Sequence, residues 1–172
     1  HELGHSMHSW HANKHQKFHY ADYSIFVAEV ASTTNELLLF EYLMKKNTDK
    51  AFRNYLMNHL ADEIRGTVYR QTMFSEFEKL IHDMTESGEP LTADILCKKY
   101  FKLHSDYHAR FVKTDKRIEL EWARIPHFYY DFYVYKYATG FSAAAAFSKN
   151  ILSGDSAKLD AYLGFLKAGD SK

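Results

Sequence analysis

Two prolines and seven glycines in 172 residues leave the chain few places to interrupt a helix, because these residue types are the strongest local breakers. The one cysteine, Cys97, excludes an internal disulfide and is consistent with a reducing compartment. Its expected role is that of a small buried or half-buried helix residue rather than a nucleophile. There is no run of about 18 apolar residues, so no membrane span is expected. Neither sign of charge dominates, since 22 Lys and Arg balance 22 Asp and Glu. That balance argues against a nucleic-acid or membrane-surface partner recruited by charge alone. What the chain does hold in quantity is aromatic and imidazole side chains, with 13 Tyr, 13 Phe and 11 His. Its length suits one domain with a sizeable core.

Helical periodicity dominates the pattern. A first helix is expected from His1, or before it, to about Asn13, followed by an aperiodic polar loop over Lys14 to Tyr20. A second runs from Ala21 to Lys46, with Phe26, Val30, Leu37, Leu38 and Tyr42 as its apolar stripe. Asn47-Thr48-Asp49 breaks the pattern and offers caps for a third stretch, Lys50 to Thr85, which is one helix or two joined near Gly66. Ser87-Gly88-Glu89-Pro90 is a turn, and Thr92 opens a helix reaching to about Val112. Lys113 to Pro126 has no clear period, and Pro126 disfavours α conformation at Ile125. An aromatic helix is expected from about Phe128 to Leu152, and a last one, capped by Asp155 or Ser156, ends near Gly169. Strand alternation, repeats and linkers do not occur. The expected fold is all-α, a multi-helix domain.

The chemistry concentrates at His1-Glu2-Leu3-Gly4-His5. On a helix, residues four apart share a face, so two imidazoles are offered to one point. Glu2 sits beside the first of them, placed to act on a water held there, which is the HExxH logic of zinc ligands with a glutamate base. A catalytic zinc needs a third protein ligand and an open position. His11 stands at the offset that metzincins use, but those enzymes turn the chain with glycine where this sequence has His8. If the helix continues, His11 points away from His1 and His5. The other candidate is a carboxylate on the second helix. Glu29 lies among Val27, Ala28, Val30 and Ala31, poor company for a solvated acid, and a half-buried carboxylate there is costly unless a cation compensates. Glu29 is therefore the expected third ligand. Glu36, seven residues on along the same face, is expected to accept the free ring N–H of a ligand histidine and fix its tautomer. Asp22 is a weaker candidate for that task.

These residues carry a resemblance. His1 to His8, Phe26-Val27-Ala28-Glu29-Val30-Ala31-Ser32 and Asn35-Glu36 are similar to the thimet-oligopeptidase superfamily of zinc peptidases, and most nearly to its oligoendopeptidase F branch. The likeness continues through Arg70 to Glu78 and Gly88 to Thr92, and is strongest over Trp122 to Tyr129 and Phe132 to Gly140. It spans nearly the whole chain. The resemblance implies His1, His5 and Glu29 as ligands of a single zinc, and Glu2 as the catalytic acid and base. It also implies that a histidine and tyrosines of a late segment hold the substrate carbonyl. His127 matches that histidine, and Tyr133 and Tyr137 are favoured among the crowded Tyr130, Tyr133, Tyr135 and Tyr137. On a helix Tyr130, Tyr133 and Tyr137 would share a face, with Tyr135 roughly opposite.

The implied activity is zinc-dependent hydrolysis of internal bonds in short oligopeptides, in the cytoplasm, without nucleic-acid or membrane partners. The family also carries a long helical N-terminal part that walls a substrate channel. These residues are thus expected to be the catalytic segment of a longer chain, lacking that N-terminal part and the extreme C-terminus beyond Ser171-Lys172, and poorly active alone. Two rival readings stand beside it. One is a non-catalytic helical module whose histidines at 8, 11, 15 and 19 bind metal adventitiously; the other is a thermolysin-like protease of folded proteins, disfavoured by the lack of strands.

Overall fold

Helices carry the whole architecture in a computed structural model, which describes residues 1–108 and 112–170. The order is α1 (Glu2–His15), a 3₁₀ turn (Phe18–Tyr20), α2 (Ile25–Lys46), α3 (Lys50–Glu63), a π-helical turn (Ile64–Tyr69), α4 (Arg70–Glu86), α5 (Ala93–His108), 3₁₀ segments at Lys116–Arg124 and Pro126–Tyr129, α6 (Tyr135–Leu152) and α7 (Ser156–Lys167). No strand occurs among the described residues, so the all-α expectation holds. No helix among them is long and apolar enough to cross a membrane. Caps sit where the polar punctuation falls. Asp49 accepts from the N–H groups of Ala51 and Phe52, Asp155 accepts from Ala157, and Thr92 accepts from Ile95 at 3.4 Å. The predicted end of α5 near Val112 adjoins residues 109–111, which lie outside the described residues.

Two compact units share the chain: His1–Ile64 with Thr139–Lys172, and Arg65–Ala138. In the first unit α1 packs on both α2 and α7. The contact with α2 depends on an absent side chain. A Cβ at Gly4 would lie 2.5 Å from Ser32 Cα, closer than real Cβ atoms come to backbone, and a tight 3.0 Å from the Ala31 carbonyl oxygen. The two helices therefore cross with their backbones nearly touching. The buried residues of α2 are accordingly Val30, Ala31, Ser32 and Thr34; of the predicted stripe only Val30 is among them, and Phe26 and Tyr42 are exposed. Where the closest approach is set by glycine, small residues make the seam. On the other side, Tyr162 and Leu166 of α7 pack with Ala31, Phe147 and Phe165, and the Tyr162 hydroxyl meets Thr34. The far end of α1 is tied to the C-terminal segment, because Gln16 Nε2 donates to the Lys167 carbonyl at 2.7 Å and Asp170 N–H to that of Tyr20 at 3.1 Å.

The second unit is built on an aromatic core of Met73, Phe74, Phe77, Tyr100, Ile125 and Val134. The segment that sequence left undefined is held by one carboxylate. Glu121, 8% exposed, accepts from Arg70, Arg124 and the Tyr100 hydroxyl, each at 2.6 Å. Burial works against the ionised form, but these donors hold the Glu121 carboxyl below its ordinary range, and the Tyr100 hydroxyl is pushed up by burial and by Glu121. A buried charge so fully partnered fixes the Lys116–Arg124 coil on α4 and α5. Ile125 is extended before Pro126, as the proline requires. Cys97 accepts from Trp122 Nε1 at 3.5 Å and is half-buried.

One expected helix is corrected. The pattern from Phe128 to Leu152 predicts a single helix, but the chain makes a 3₁₀ turn to Tyr129, an irregular stretch, and enters α6 only at Tyr135. Asp131 and Phe132 take positive φ values of 29° and 52°, which no α-helix accommodates and which cost on the order of 1–3 kcal/mol each for non-glycine residues.

The crossing of α1 on α2 can be tested by filling it. Gly4→Ala gains helix propensity of about 1 kcal/mol but forces apart two backbones, at a cost of roughly 1–3 kcal/mol. A lower urea midpoint is expected despite the better helix former; an unchanged or raised midpoint would show that the helices do not meet there.

Candidate metal centre

Backbone proximity at Gly4 brings the first turn of α1 against the first half of α2. His1 caps α1 and His5 follows one turn later, so both rings lie on the face turned toward Glu29. His1 Nε2 is 3.3 Å from Glu29 Oε2, His5 Nε2 is 3.8 Å from the same oxygen, and the two Nε2 atoms are 3.3 Å apart. Among the described residues, this trio is the one grouping of His, Cys, Asp and Glu able to hold a metal ion, with ligand atoms within 4.8 Å of one another. Four-coordinate zinc with bonds near 2.0–2.1 Å keeps its ligand atoms about 3.3 Å apart, so the triangle has the dimensions of a zinc site.

The donor chemistry points the same way. His1 Nδ1 lies 3.2 Å from Glu36 Oε1; an N–H there donates to the carboxylate and leaves the Nε2 lone pair facing inward. Glu29 Oε2 faces the same point, and it accepts from the buried Ser32 hydroxyl at 3.0 Å. Lone pairs and a negative charge thus converge where only a cation or a proton relieves them. Histidines are the ion-pair partners of Glu29 and Glu36 among the described residues. Ser32 was not singled out in the sequence; the available signal was a hydroxyl three residues after Glu29 on the same helix. Glu2 is exposed in the first turn of α1, where its charge suits the helix dipole. Asp22 is exposed and accepts from the Tyr23 N–H at 2.9 Å. Beside His1 and Glu36 opens a groove of about 280 Å³ lined by Leu37, Phe40, Leu56 and Leu60.

The second unit gathers the late aromatic residues. The His127 ring stacks on Tyr133 at 5.4 Å and meets Tyr137 edge-on at 6.1 Å, with Tyr133 and Tyr137 5.6 Å apart. Tyr130 stands 6.4 Å from His127. The expected grouping occurs, but not on one helical face: Tyr130 and Tyr133 precede α6, and Tyr137 lies in its first turn.

Comparison with known proteins gives this geometry its context. The model of peptidase family M3 matches residues 1–172. The chain belongs to peptidase family M3. It is similar to oligopeptidase PepF of Bacillus subtilis, 55% identical over the full chain, which corresponds to 26% of that protein. A chromosomal oligoendopeptidase F of Lactococcus lactis subsp. cremoris is 47% identical over 99% of the chain and 28% of its own length. The crystal structure of oligoendopeptidase-F from Enterococcus faecium superposes with a TM-score of 0.87 at 47% identity, covering 98% of this chain and 30% of that one. The chain thus spans under a third of the length of these relatives.

In this M3 chain the later histidines of α1 separate from the centre. α1 runs on to His15 without a turn, so His11 stays on the helix; its ring lies against Trp10 and His15. His8 is 1% exposed, stacked on Tyr23 at 3.7 Å and tilted against Phe165 at 5.3 Å. It packs as a core ring. Burial first, then the neighbouring His5 and His11, lowers its pKa to about 4.

That shift fixes a sign. An unfolded histidine titrates near 6.5, so the folded chain binds fewer protons than the unfolded one between about 6.5 and 4. The stability contributed by neutral His8 is complete above the upper value and is lost as pH falls through the lower. His8→Phe, which keeps the stack, is expected to recover at most roughly 2–3 kcal/mol of the loss between pH 7 and 4. Urea midpoints of both proteins across that range check it; parallel curves would refute it.

Proposed function

We propose that these residues form the catalytic domain of a longer zinc metalloendopeptidase, which hydrolyses internal bonds of oligopeptides in a channel completed by its own N-terminal helical domain. The observation that carries this reading is the convergence of His1 Nε2, His5 Nε2 and Glu29 Oε2 at ligand spacing, in a chain matched throughout by family M3. Relatives named oligopeptidase and oligoendopeptidase F support the substrate class. Zinc, when held there, brings the pKa of a water into the neutral range and stabilises negative charge on a carbonyl oxygen.

The chain's own groups supply the rest. Glu2 takes the proton of the attacking water and passes it to the leaving amine. Glu36 accepts from His1 Nδ1–H and keeps the Nε2 lone pair aimed inward. Ser32 does the same for the Glu29 carboxylate. His127, Tyr133 and Tyr137 donate hydrogen bonds to the substrate carbonyl as negative charge grows on its oxygen. The apolar groove beside His1 suits an apolar side chain of the peptide.

Metal content and turnover test this separately, in the full-length peptidase that carries these residues. Glu29→Ala is expected to abolish the stoichiometric zinc, about one ion per chain, measured by atomic absorption after dialysis. Several weak equivalents indifferent to Glu29 would favour the non-catalytic, histidine-rich module instead. Glu2→Gln is expected to keep zinc and peptide affinity while kcat falls by roughly 10²–10⁴-fold. Undiminished turnover by the pure variant would remove Glu2 from its role.

A further inference from the structure

The second unit contains a buried acid that the proposed chemistry does not use. Glu78, on α4, is 1% exposed. Its Oε1 accepts from the backbone N–H of Phe132 at 2.7 Å, across 54 residues of sequence. Its Oε2 is buried and has no hydrogen-bond partner among the described residues. Burial raises the pKa of this carboxyl, against the Phe132 N–H and His82, with Asp131 adding to the rise. One turn further along α4, the His82 ring packs on the Phe132 ring at 4.6 Å. Two consecutive turns of one helix therefore grip the same residue, one by its backbone and one by its side chain.

The gripped residue is where the chain leaves ordinary geometry. Asp131 and Phe132 are the two non-glycine residues with positive φ among those described, a conformation that persists only where the surroundings impose it. The next residue, Tyr133, stacks on His127, and the one after, Val134, is fully buried in the core. Without the turn, the local pattern favours continuing a helix back toward Phe128, which would carry Tyr133 to a different place relative to His127.

We infer that Glu78 is a positioning residue: its carboxylate holds the left-handed Asp131–Phe132 turn and thereby sets Tyr133 against the His127 ring. The inference rests on the proposed role of His127 and Tyr133 as donors to the substrate carbonyl. Glu78 touches neither substrate nor metal in this role, and what matters is its acceptor oxygen rather than its charge. Glutamine supplies that oxygen and leucine does not.

Steady-state kinetics of the full-length, zinc-loaded peptidase separate the possibilities. Glu78→Leu is expected to lower kcat roughly 10- to 100-fold, approaching the 10²–10³ typical of deleting a transition-state donor, with KM and zinc content little changed. Glu78→Gln is expected to restore most of kcat. Tyr133→Phe added to Glu78→Leu is expected to cost far less than in the parent, because the two changes remove one arrangement. A purely structural role would lower the denaturation midpoint and leave kcat per zinc-loaded enzyme, and its dependence on Tyr133, unaltered; that result overturns the inference. If Glu78→Leu does not fold, Glu78→Gln decides: retained kcat supports an acceptor role, and a loss as deep as that of His127→Ala overturns it. If His127→Ala and Tyr133→Phe themselves leave kcat unchanged, the failure lies in the reading of the donors and not in Glu78.

Discussion

The contact on which the candidate centre depends contains no side chain on one of its two sides. Gly4 lets the backbone of α1 lie against that of α2 at Ser32, and every distance in the metal trio follows from that approach. The two histidines of the trio sit one residue after and three residues before the glycine, and Glu29 sits three residues before Ser32. The separation of two helix axes is ordinarily 8–10 Å, depending on the side chains between them; with the smallest pair at the crossing, flanking side chains of ordinary length reach one another. A larger residue at Gly4 would preserve every ligand and still move them apart. The middle of His-Glu-Leu-Gly-His is thus a packing element as well as a spacer.

Much of this was legible in the chain because it is local or periodic. His1 with His5 follows from a spacing of four, and Glu29 with Glu36 from a spacing of seven on an apolar helix. Rejecting His11 needed only the absence of a turn residue between His5 and His11. The face of α2 was less legible, since the predicted stripe of large residues gave way to Ala31 and Ser32. Periodicity finds large apolar residues and has no term for a neighbouring helix that brings a glycine. The grouping of His127 with Tyr133 and Tyr137 came from family likeness, and the helix expected from Phe128 begins only at Tyr135, beyond His127 and Tyr133. Its cause is an acceptor on another helix, 54 residues upstream, which no local window contains.

Each of the two cores buries polar groups, and how each group is partnered separates architecture from candidate function. In the first unit, Thr34 donates to the Val30 carbonyl and meets the Tyr162 hydroxyl, while His8 Nδ1 is buried with no hydrogen-bond partner among the described residues. His8 is kept neutral by burial, so its ring serves as an aromatic slab between Tyr23 and Phe165. A run of histidines along one helix therefore divides by burial. Those at the N-terminal turn face carboxylates, and the next is committed to the core.

Four carboxylates mark three degrees of compensation. Glu121 is buried and receives three strong donors, two of them cationic; it needs nothing more and reads as architecture. Glu78 is buried with one oxygen engaged and the other without a hydrogen-bond partner among the described residues, a cost that is reasonable only if the bond it does make constrains something of value. Glu29 and its neighbour Glu36 are half-buried, and imidazoles are their ion-pair partners. Glu36 takes up one N–H of the His1 ring, and the charge at Glu29 faces the Nε2 atoms of His1 and His5 with no Lys or Arg paired to it among the described residues. A stable fold places an uncompensated acid against two inward-facing imidazole nitrogens at the cost of its own stability. A divalent cation there converts that cost into binding free energy. That carboxylate between two imidazoles, more than the motif itself, is what makes this trio the candidate for holding a cation.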